Sequence, residues 1–592
     1  NAPDSLLYTP ATLVSGRELP MHLGLPTRSV HGLPIIEHAE FGRNVPDEAM
    51  PDEDKMNLGK IYHMGKEEAA GLLLNRQAMA SHTFITGSTG TGKSNAVYHL
   101  LDEITKNGQT TFLVVEPAKG EYKNVFGNCT DVQVFGTNPR ETPLLRMNPF
   151  AFPENIHILE HIDRLVEIFN ACWPMYAAMP AVLKDAIERS YQKVGWDLRN
   201  SESEKGVFPT FFDLLDILPG VIEESHYSKD TQSDYVGALC TRVKSLTNGI
   251  YGSVLCAEDA LTDEALFDRN VIVDLSRVGS METKSLLMGI LVMKLQEYRM
   301  CSSGMNSGLR HVTVLEEAHN LLRKTSAEQS QEGANLQGKS VEMLANAIAE
   351  MRTYGEGFII ADQAPGLLDM SVIRNTNTKI ILRLPDEEDR KLVGKSAALK
   401  EAQIDELSKL PLGVAAVYQN EWPEAVLCKI EAYPMPENAV YHKPSKMPHE
   451  INAEFVFGQL AVGKELEPLS SSEMEQLKLW LKRHETVLKP EDSRYLERVF
   501  AGGVLDEVKT RKAVFDFFGG IGTVVDYCVA AEKSLTPRKE FLEQLQGQYG
   551  LKAAAADWVL NSVISMGMSL NPDAKAVDNL RTNFEQQGGR VL

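Results

Sequence analysis

The sequence predicts an α/β fold built on a mostly parallel, doubly wound sheet, and three observations carry the prediction. A β-prone run at 83–86 enters a glycine-rich turn and then a helix-forming segment. Runs of strand length at 110–116, 132–135, 270–274, 311–317, 357–361, 378–384 and 414–418 alternate with longer stretches of helical period, the spacing of β–α–β units. Several of these runs, TTFLVVE at 110–116 above all, are apolar nearly throughout, as strands covered on both faces must be.

Composition sets the limits. A chain of 592 residues exceeds one hydrophobic core, so about two to four domains are expected. A hydrophobic share of 43% and a charged share of 24% are those of a soluble globular protein. No apolar run reaches the ~20 residues that span a bilayer, and no basic-apolar leader opens the chain, so no membrane partner and a cytoplasmic location are expected. The first residue is Asn1 rather than Met, which points to a trimmed or longer natural N-terminus. The cysteines (Cys129, Cys172, Cys240, Cys256, Cys301, Cys428, Cys528) are odd in number and never spaced C-x-x-C, which fits reduced thiols and not a zinc or disulfide framework. A net charge of −21 excludes a surface that wraps nucleic acid uniformly, although a local basic patch is compatible with it.

Taken in order, residues 1–60 are rich in proline, glycine and acids and read as an irregular arm or the remnant of a β-domain. Short strands are expected near 29–36 and an exposed loop at 47–54. From 60 to 76 a strand and a short amphipathic segment lead into the strand 83–86, within a nucleotide-binding domain predicted over 61–433.

The turn that follows, HTFITGSTGTGKSN at 82–95, matches G-x-x-x-x-G-K-[ST] at Gly87, Gly92, Lys93 and Ser94, with an extra glycine at Gly90. Glycines let backbone N–H groups curl around phosphate oxygens, and the start of the helix at 94–106 adds partial positive charge. Gly87, Ser88, Thr89, Gly90, Thr91, Gly92, Lys93, Ser94 and Asn95 are therefore the predicted nucleotide cradle. Lys93 is placed to reach the β- and γ-phosphates of ATP, and the Ser94 hydroxyl to ligate Mg²⁺.

The strand 110–116 ends in Glu116, at the sheet edge where open α/β folds build their sites. Residues 150–255 change character to long helical periods, with helices expected at 157–169, 180–194 and 234–246. They are a helical insertion whose aromatics (Trp173, Tyr176, Tyr191, Trp196) are expected in the core. A strand at 270–274 and a long helix at 282–299 return to the alternating pattern, and a further helix is expected at 346–354.

The strand HVTVLEE ends in Glu316 and Glu317. In a nucleotide hydrolase the first acid holds Mg²⁺ largely through water and the second polarises the attacking water. The first position is commonly Asp, and Glu316 is longer. Gln363 ends the strand at 357–361, where a polar group would face the γ-phosphate or that water. Arg352, Arg374 and Arg383 are candidate arginine fingers, a role commonly filled from a neighbouring subunit, and the sequence does not choose among them. The polar stretch 323–339 offers Arg323, Lys324 and Lys339 to DNA phosphates, against the plainer reading of a solvated loop. Residues 434–449 are a proline-rich linker. Residues 450–592 are a helical module, with helices expected at 470–485, 490–500, 509–518, 539–549 and 552–566.

HTFITGSTGTGKSN, VVEPAKGEY, RMNPFAF, NVIVDLSRVGSMETKSL, VLEEAHNLL, AEMRTYGEGFIIADQAP and IRNTNTKIILRL occur in that order. Together they resemble the HerA-type ATPases, relatives of the FtsK motor with a RecA-like P-loop core, over about residues 20–430. The resemblance implies a homohexameric ring that couples ATP hydrolysis to translocation on double-stranded DNA. It marks Lys93 and Ser94 as the Walker A pair, Glu316 and Glu317 as the Walker B pair, Gln363 as the sensor and Glu116 as the acid after the second strand. Ala364 stands where some members carry arginine, which leaves the finger unassigned, and the family's N-terminal β-barrel is not recognisable in full. The resemblance also implies a separate effector partner, a nuclease or a sirtuin-like NADase, and lies nearer the branch that serves bacterial anti-phage defence. Within it, a rival to the motor is a ring that scaffolds and activates its effector without translocating. A conjugation-type or secretion ATPase is a third reading, and it would call for a membrane anchor.

Overall fold

The structure is a computed structural model that describes residues 29, 31–32, 37–46, 50–175, 178–203, 206–225, 227–257, 260–325, 336–435, 439–443, 451, 453–463, 466, 468–469, 471–484, 487–534, 536–549, 551–571 and 573–591. Most of the strand expectation at 29–36, Tyr176, and the middle of the polar stretch 323–339 lie outside the described residues. The chain forms two compact units, Asn1–Lys443 and Pro444–Leu592.

The first unit is organised on an 11-stranded sheet. Its strands are β1 (Lys55–His63), β2 (Lys66–Asn75), β3 (Thr83–Thr86), β4 (Thr111–Glu116), β5 (Val132–Gly136), β6 (Asn270–Asp274), β7 (His311–Glu316), β8 (Glu356–Asp362), β9 (Thr378–Ile381), β10 (Val414–Gln419) and β11 (Val426–Ile430). Their spatial order is β2-β1-β11-β10-β9-β3-β8-β7-β4-β6-β5. From β9 to β5 every pairing is parallel. From β9 outward to β2 every pairing is antiparallel.

That antiparallel flank corrects the expected strand series, which does not end at 414–418. The run VLCKI forms β11 because it returns directly beside β10 across a short turn. The segment 66–75 has helix-forming composition yet is strand β2, since a two-residue turn at Met64 and Gly65, both at positive φ, folds it back onto β1. Such turns match the twist of paired strands. β1 itself begins at Lys55, inside the region read as an arm.

The sheet is buried on both faces, and β4 shows how the sequence arranges this. Phe112 and Val114 point into one core, Leu113 and Val115 into the other. The first is capped by helix α1 (Lys93–Thr105), whose Ala96, Val97, Leu100, Leu101 and Ile104 face it. The second is covered by helix α3 (Met281–Ser302) and the insertion; the short helix α2 (Tyr122–Phe126) lies between α1 and α3 in the chain. α3 is apolar nearly all round and correspondingly buried along its length, as expected of a core helix.

In the insertion, helices Ile158–Cys172 and Met179–Lys193 occur near the expected bounds. The third expected helix is interrupted: Lys229–Tyr235 passes through a π-helical turn, Val236–Cys240, into Thr241–Thr247. Helix Phe211–Glu224 has no counterpart in the sequence reading, because Pro219 and Gly220 inside it look like a breaker. It forms nonetheless, with Thr210 and Asp213 closing a reciprocal cap at its start and Phe211, Leu214, Leu218, Val221 and Ile222 buried. Trp173 and Tyr191 are buried and Trp196 packs against the same core.

The start of the linker is bound to this unit. The side-chain oxygen of Asn124 accepts from Tyr441 N–H at 3.0 Å, and that of Asn128 accepts from His442 N–H at 3.1 Å.

The second unit is helical around its own apolar core. Helices Pro490–Phe500, Glu507–Phe517, Gly520–Lys533 and Pro537–Tyr549 precede the long helix Ala553–Leu570, whose Val559, Leu560, Val563 and Ile564 are fully buried. Among the described residues no single helix is long and apolar enough to cross a membrane; one pair, Glu507–Phe517 with Gly520–Ala531, passes that test jointly but is bent by 71°.

Candidate functional site: a phosphate loop facing two carboxylates

The site lies where β3, β8 and β7 end side by side. Their register puts Thr86 opposite Asp362 and Ala361 opposite Glu316, so the loop after β3 and the acids after β7 reach the same edge. The loop curls tightly, with Gly90 at φ 76° and Gly92 at φ 105°, a backbone region that side chains disfavour. Ser88 donates to the Arg383 carbonyl through both N–H (3.0 Å) and Oγ (3.2 Å), and Thr91 Oγ1 donates to the Ser88 carbonyl at 2.7 Å. α1 starts at Lys93.

The Lys93 ammonium is buried and lies 3.0 Å from Glu317 Oε1 and 3.6 Å from Glu316 Oε2. Gln363 Nε2 donates to the same Glu317 oxygen at 2.6 Å. Thr89 Oγ1 donates to Gln363 Oε1 at 2.7 Å. The loop, the second acid and the strand-end glutamine thus form one closed polar circuit. Glu317 is held in it by a left-handed backbone, φ 44° and ψ 52°, a conformation costing about 1–3 kcal/mol for a non-glycine residue and found where geometry matters to function.

Sequence reading did not single out three groups that support the circuit. The Tyr122 hydroxyl donates to Glu316 Oε1 at 2.5 Å. Asp362 accepts from the backbone N–H groups of His319 and Ala364, each at 2.8 Å. The His319 ring Nδ1 lies 2.9 Å from Asp362 and 3.6 Å from Glu317, and its bond to Asp362 raises the imidazole above its ordinary pKa. The signal for Tyr122 and His319 was their place just past a strand end, which by itself does not separate them from ordinary loop residues.

Burial raises the Glu316 carboxyl above its ordinary value, with Lys93 and the Tyr122 hydroxyl pulling the other way. Burial also pushes Glu116 to about 7, against backbone N–H bonds from Glu121 and Tyr122 that lower it. Between its ordinary 4.5 and about 7 the folded chain therefore holds a proton that the unfolded chain releases. Stability falls as pH rises through that window and is flat above it, by about 3 kcal/mol in all. Glu116→Gln should flatten the curve, so that chemical denaturation at pH 5 and pH 8 gives closer midpoints than in the wild type.

The other predicted residues separate by position. Ser94 follows Lys93 on α1, and its hydroxyl and the Glu316 carboxylate are hard oxygen donors of the kind that fit Mg²⁺. The Asn95 side chain donates to the Glu431 carbonyl (3.0 Å) and accepts from Tyr433 N–H (2.9 Å), so it anchors the chain after β11. Arg383 is exposed at the end of β9, beside the loop. Arg352 precedes β8 on the turn Met351–Tyr354, and Arg374 ends the helix Met370–Arg374 before β9. These two line a shared cavity of ≈ 610 Å³ at the opposite, N-terminal edge of the sheet, a strand length of ~20 Å from the chain's own loop. Arg323 and Lys324 are exposed, their backbone paired with Leu367 and Leu368. Lys339 stands in the first turns of helix α4 (Leu336–Glu350) and not in a loop.

Residues 56–293 match the family described as "Helicase HerA, central domain". A probable helicase of Methanocaldococcus jannaschii is 23% identical over 439 residues, covering 67% of this chain and 76% of the relative. The DNA double-strand break repair helicase HerA of Sulfolobus acidocaldarius is 25% identical over 390 residues, covering 64% and 69%. In fold, the chain is similar to the structure of VirB4 of Thermoanaerobacter pseudethanolicus, with a TM-score of 0.50 and 19% identity over 65% of this chain and 98% of that one. A P-loop facing paired strand-end carboxylates and a glutamine on a RecA-like sheet, with these relatives, marks the chain as a P-loop ATPase whose core is similar to that of the HerA helicases.

Proposed function

We propose that this ATPase is a ring motor that uses ATP to translocate on double-stranded DNA. The observation that carries the reading is the division of the site between two edges. Lys93, Glu316, Glu317 and Gln363 meet at one edge, while Arg352 and Arg374 stand together at the other. Neither arginine reaches its own chain's loop, which supports a finger acting in trans on the next subunit's loop of a head-to-tail ring. The proposal includes a homohexamer in the cytoplasm, the DNA named for the HerA relatives as its track, and an effector partner, a nuclease or a sirtuin-like NADase of an anti-phage system. Ile521, Val525 and Val529 form an exposed stripe at helical spacing in the second unit, a face suited to a protein partner.

The mechanism follows from the circuit. ATP phosphates entering the loop take Lys93 from Glu317, because a polyphosphate outcompetes a single carboxylate for the ammonium. Glu317, released from Lys93, accepts a proton from a water positioned by Gln363, and the water oxygen attacks the γ-phosphorus as the bond to the β-phosphate oxygen breaks. Ser94 and Glu316 are the residues that would hold Mg²⁺, Glu316 largely through water, and the ion would supply charge neutralisation for the phosphates. Glu317 passes its proton to the departing phosphate, ADP and phosphate leave, and Lys93 returns to Glu317.

Turnover measured with increasing linear duplex should rise severalfold and lose that rise as salt increases, since phosphate contacts release counterions. Turnover indifferent to duplex at every salt concentration would favour the effector-scaffold reading.

A further inference from the structure

A second cavity opens at the same sheet edge, four strands from the phosphate loop, above the ends of β4, β6 and β5. It measures ≈ 630 Å³ and is lined by Lys119, Lys123, Arg140, Arg277 and Lys443, with Glu141 the acid among its lining residues. Cations collected in a chain of net charge −21 are a local exception that calls for a cause.

The deepest cation is structural. Lys123 is buried and held by Asp274 at 2.6 Å and Glu141 at 3.0 Å. Glu141 also holds Arg277 at 2.7 Å. Around this neutralised floor the mouth keeps exposed positive charge. Lys119 is joined to Glu121 only at 3.7 Å, Arg140 makes no ion pair among the described residues, and Lys443 donates to the Pro139 carbonyl, a bond that leaves its charge in place. A cavity with a neutral floor and a cationic rim, open to solvent, fits a phosphodiester group running across it better than a compact buried anion.

The cavity wall is joined to the catalytic acid. Gly120 sits at φ 68°, and a Cβ there would lie 2.9 Å from Ser276 Oγ, so the wall turns as tightly as the chain allows. Two residues on, Tyr122 is pinned by its N–H to Glu116 (3.1 Å) and reaches Glu316 through its hydroxyl (2.5 Å). Lys119 and Tyr122 stand on either side of Gly120, so an anion held by Lys119 acts on the segment that carries the donor to Glu316.

We propose that this cavity binds a backbone phosphate of the duplex, and that Tyr122 transmits its occupancy to Glu316, so that turnover is tied to DNA engagement. The proposal rests on the DNA-motor reading.

The test uses the full chain and a fluorescently labelled linear duplex. Arg140→Gln combined with Lys443→Gln should weaken duplex binding about tenfold and reduce the slope of log affinity against log salt by about 2. Tyr122→Phe should bind duplex as the wild type does while losing at least half of the duplex-induced rise in turnover. Unchanged affinity and slope in the double variant, or full stimulation in Tyr122→Phe, would overturn the proposal. Displacement of the duplex by inorganic phosphate at matched ionic strength would assign the cavity to a free phosphate and overturn it as well. A wild-type chain that binds no duplex would fail the motor reading itself, a result distinct from the others.

Discussion

Lys93→Ala should reduce ATP turnover to background, a loss of at least about 10²–10³. The Lys93 ammonium is buried between Glu316 and Glu317, so its removal leaves two carboxylates facing each other in a site from which water is largely excluded. Their like charges repel at close range, which drives Glu317 away from the water it would polarise. The same substitution removes the cation that would meet the β- and γ-phosphates. Loss of a partner from a buried ion pair costs about 3–5 kcal/mol, so the variant's thermal transition must be measured beside its turnover. A folded variant that hydrolyses ATP at the wild-type rate would remove Lys93 from the site.

Glu317→Gln should nearly abolish hydrolysis while nucleotide binding is kept or strengthened. The amide cannot act as a base, a loss of about 10²–10⁴ in the chemical step. It also carries no charge, so the contact that holds Lys93 at 3.0 Å weakens and an incoming phosphate has less to displace. The left-handed backbone at Glu317 is unaffected by this change, so the side chain keeps its place against Gln363. Single-turnover assays should therefore find ATP bound and uncleaved. Loss of ATP binding together with hydrolysis would count against the role of base.

How much of this was legible in the sequence differs element by element. The loop at Gly87–Ser94 was plain, because a glycine pattern fixes backbone shape and Lys93 and Ser94 are specified by the phosphates they would meet. Glu316, Glu317 and Gln363 were legible as strand-end polar groups after apolar runs, and pairing of β7, β8 and β3 brings them together. Tyr122, His319 and Asp362 were not, since their meaning lies in contacts across 43 positions for His319 with Asp362 and 194 for Tyr122 with Glu316. The strand β2 was hidden by helix-forming Lys, Glu, Ala and Leu, whose propensity yields to pairing with β1. Helix Phe211–Glu224 was hidden by Pro219, although Thr210 and Asp213, three residues apart, carry the spacing of a helix cap. The arginines needed coordinates most of all: only the sheet shows Arg352 and Arg374 at the edge away from the loop and Arg383 beside it.

Hydrolysis at this site is proposed to move the protein along duplex DNA. Displacement of a triplex-forming strand from a linear duplex, followed with ATP and with a non-hydrolysable analogue, tests it most directly. The wild-type chain should displace the strand with ATP alone, and Lys93→Ala should displace none under either condition. Active ATP hydrolysis by the wild type with no displacement on any duplex would contradict the account.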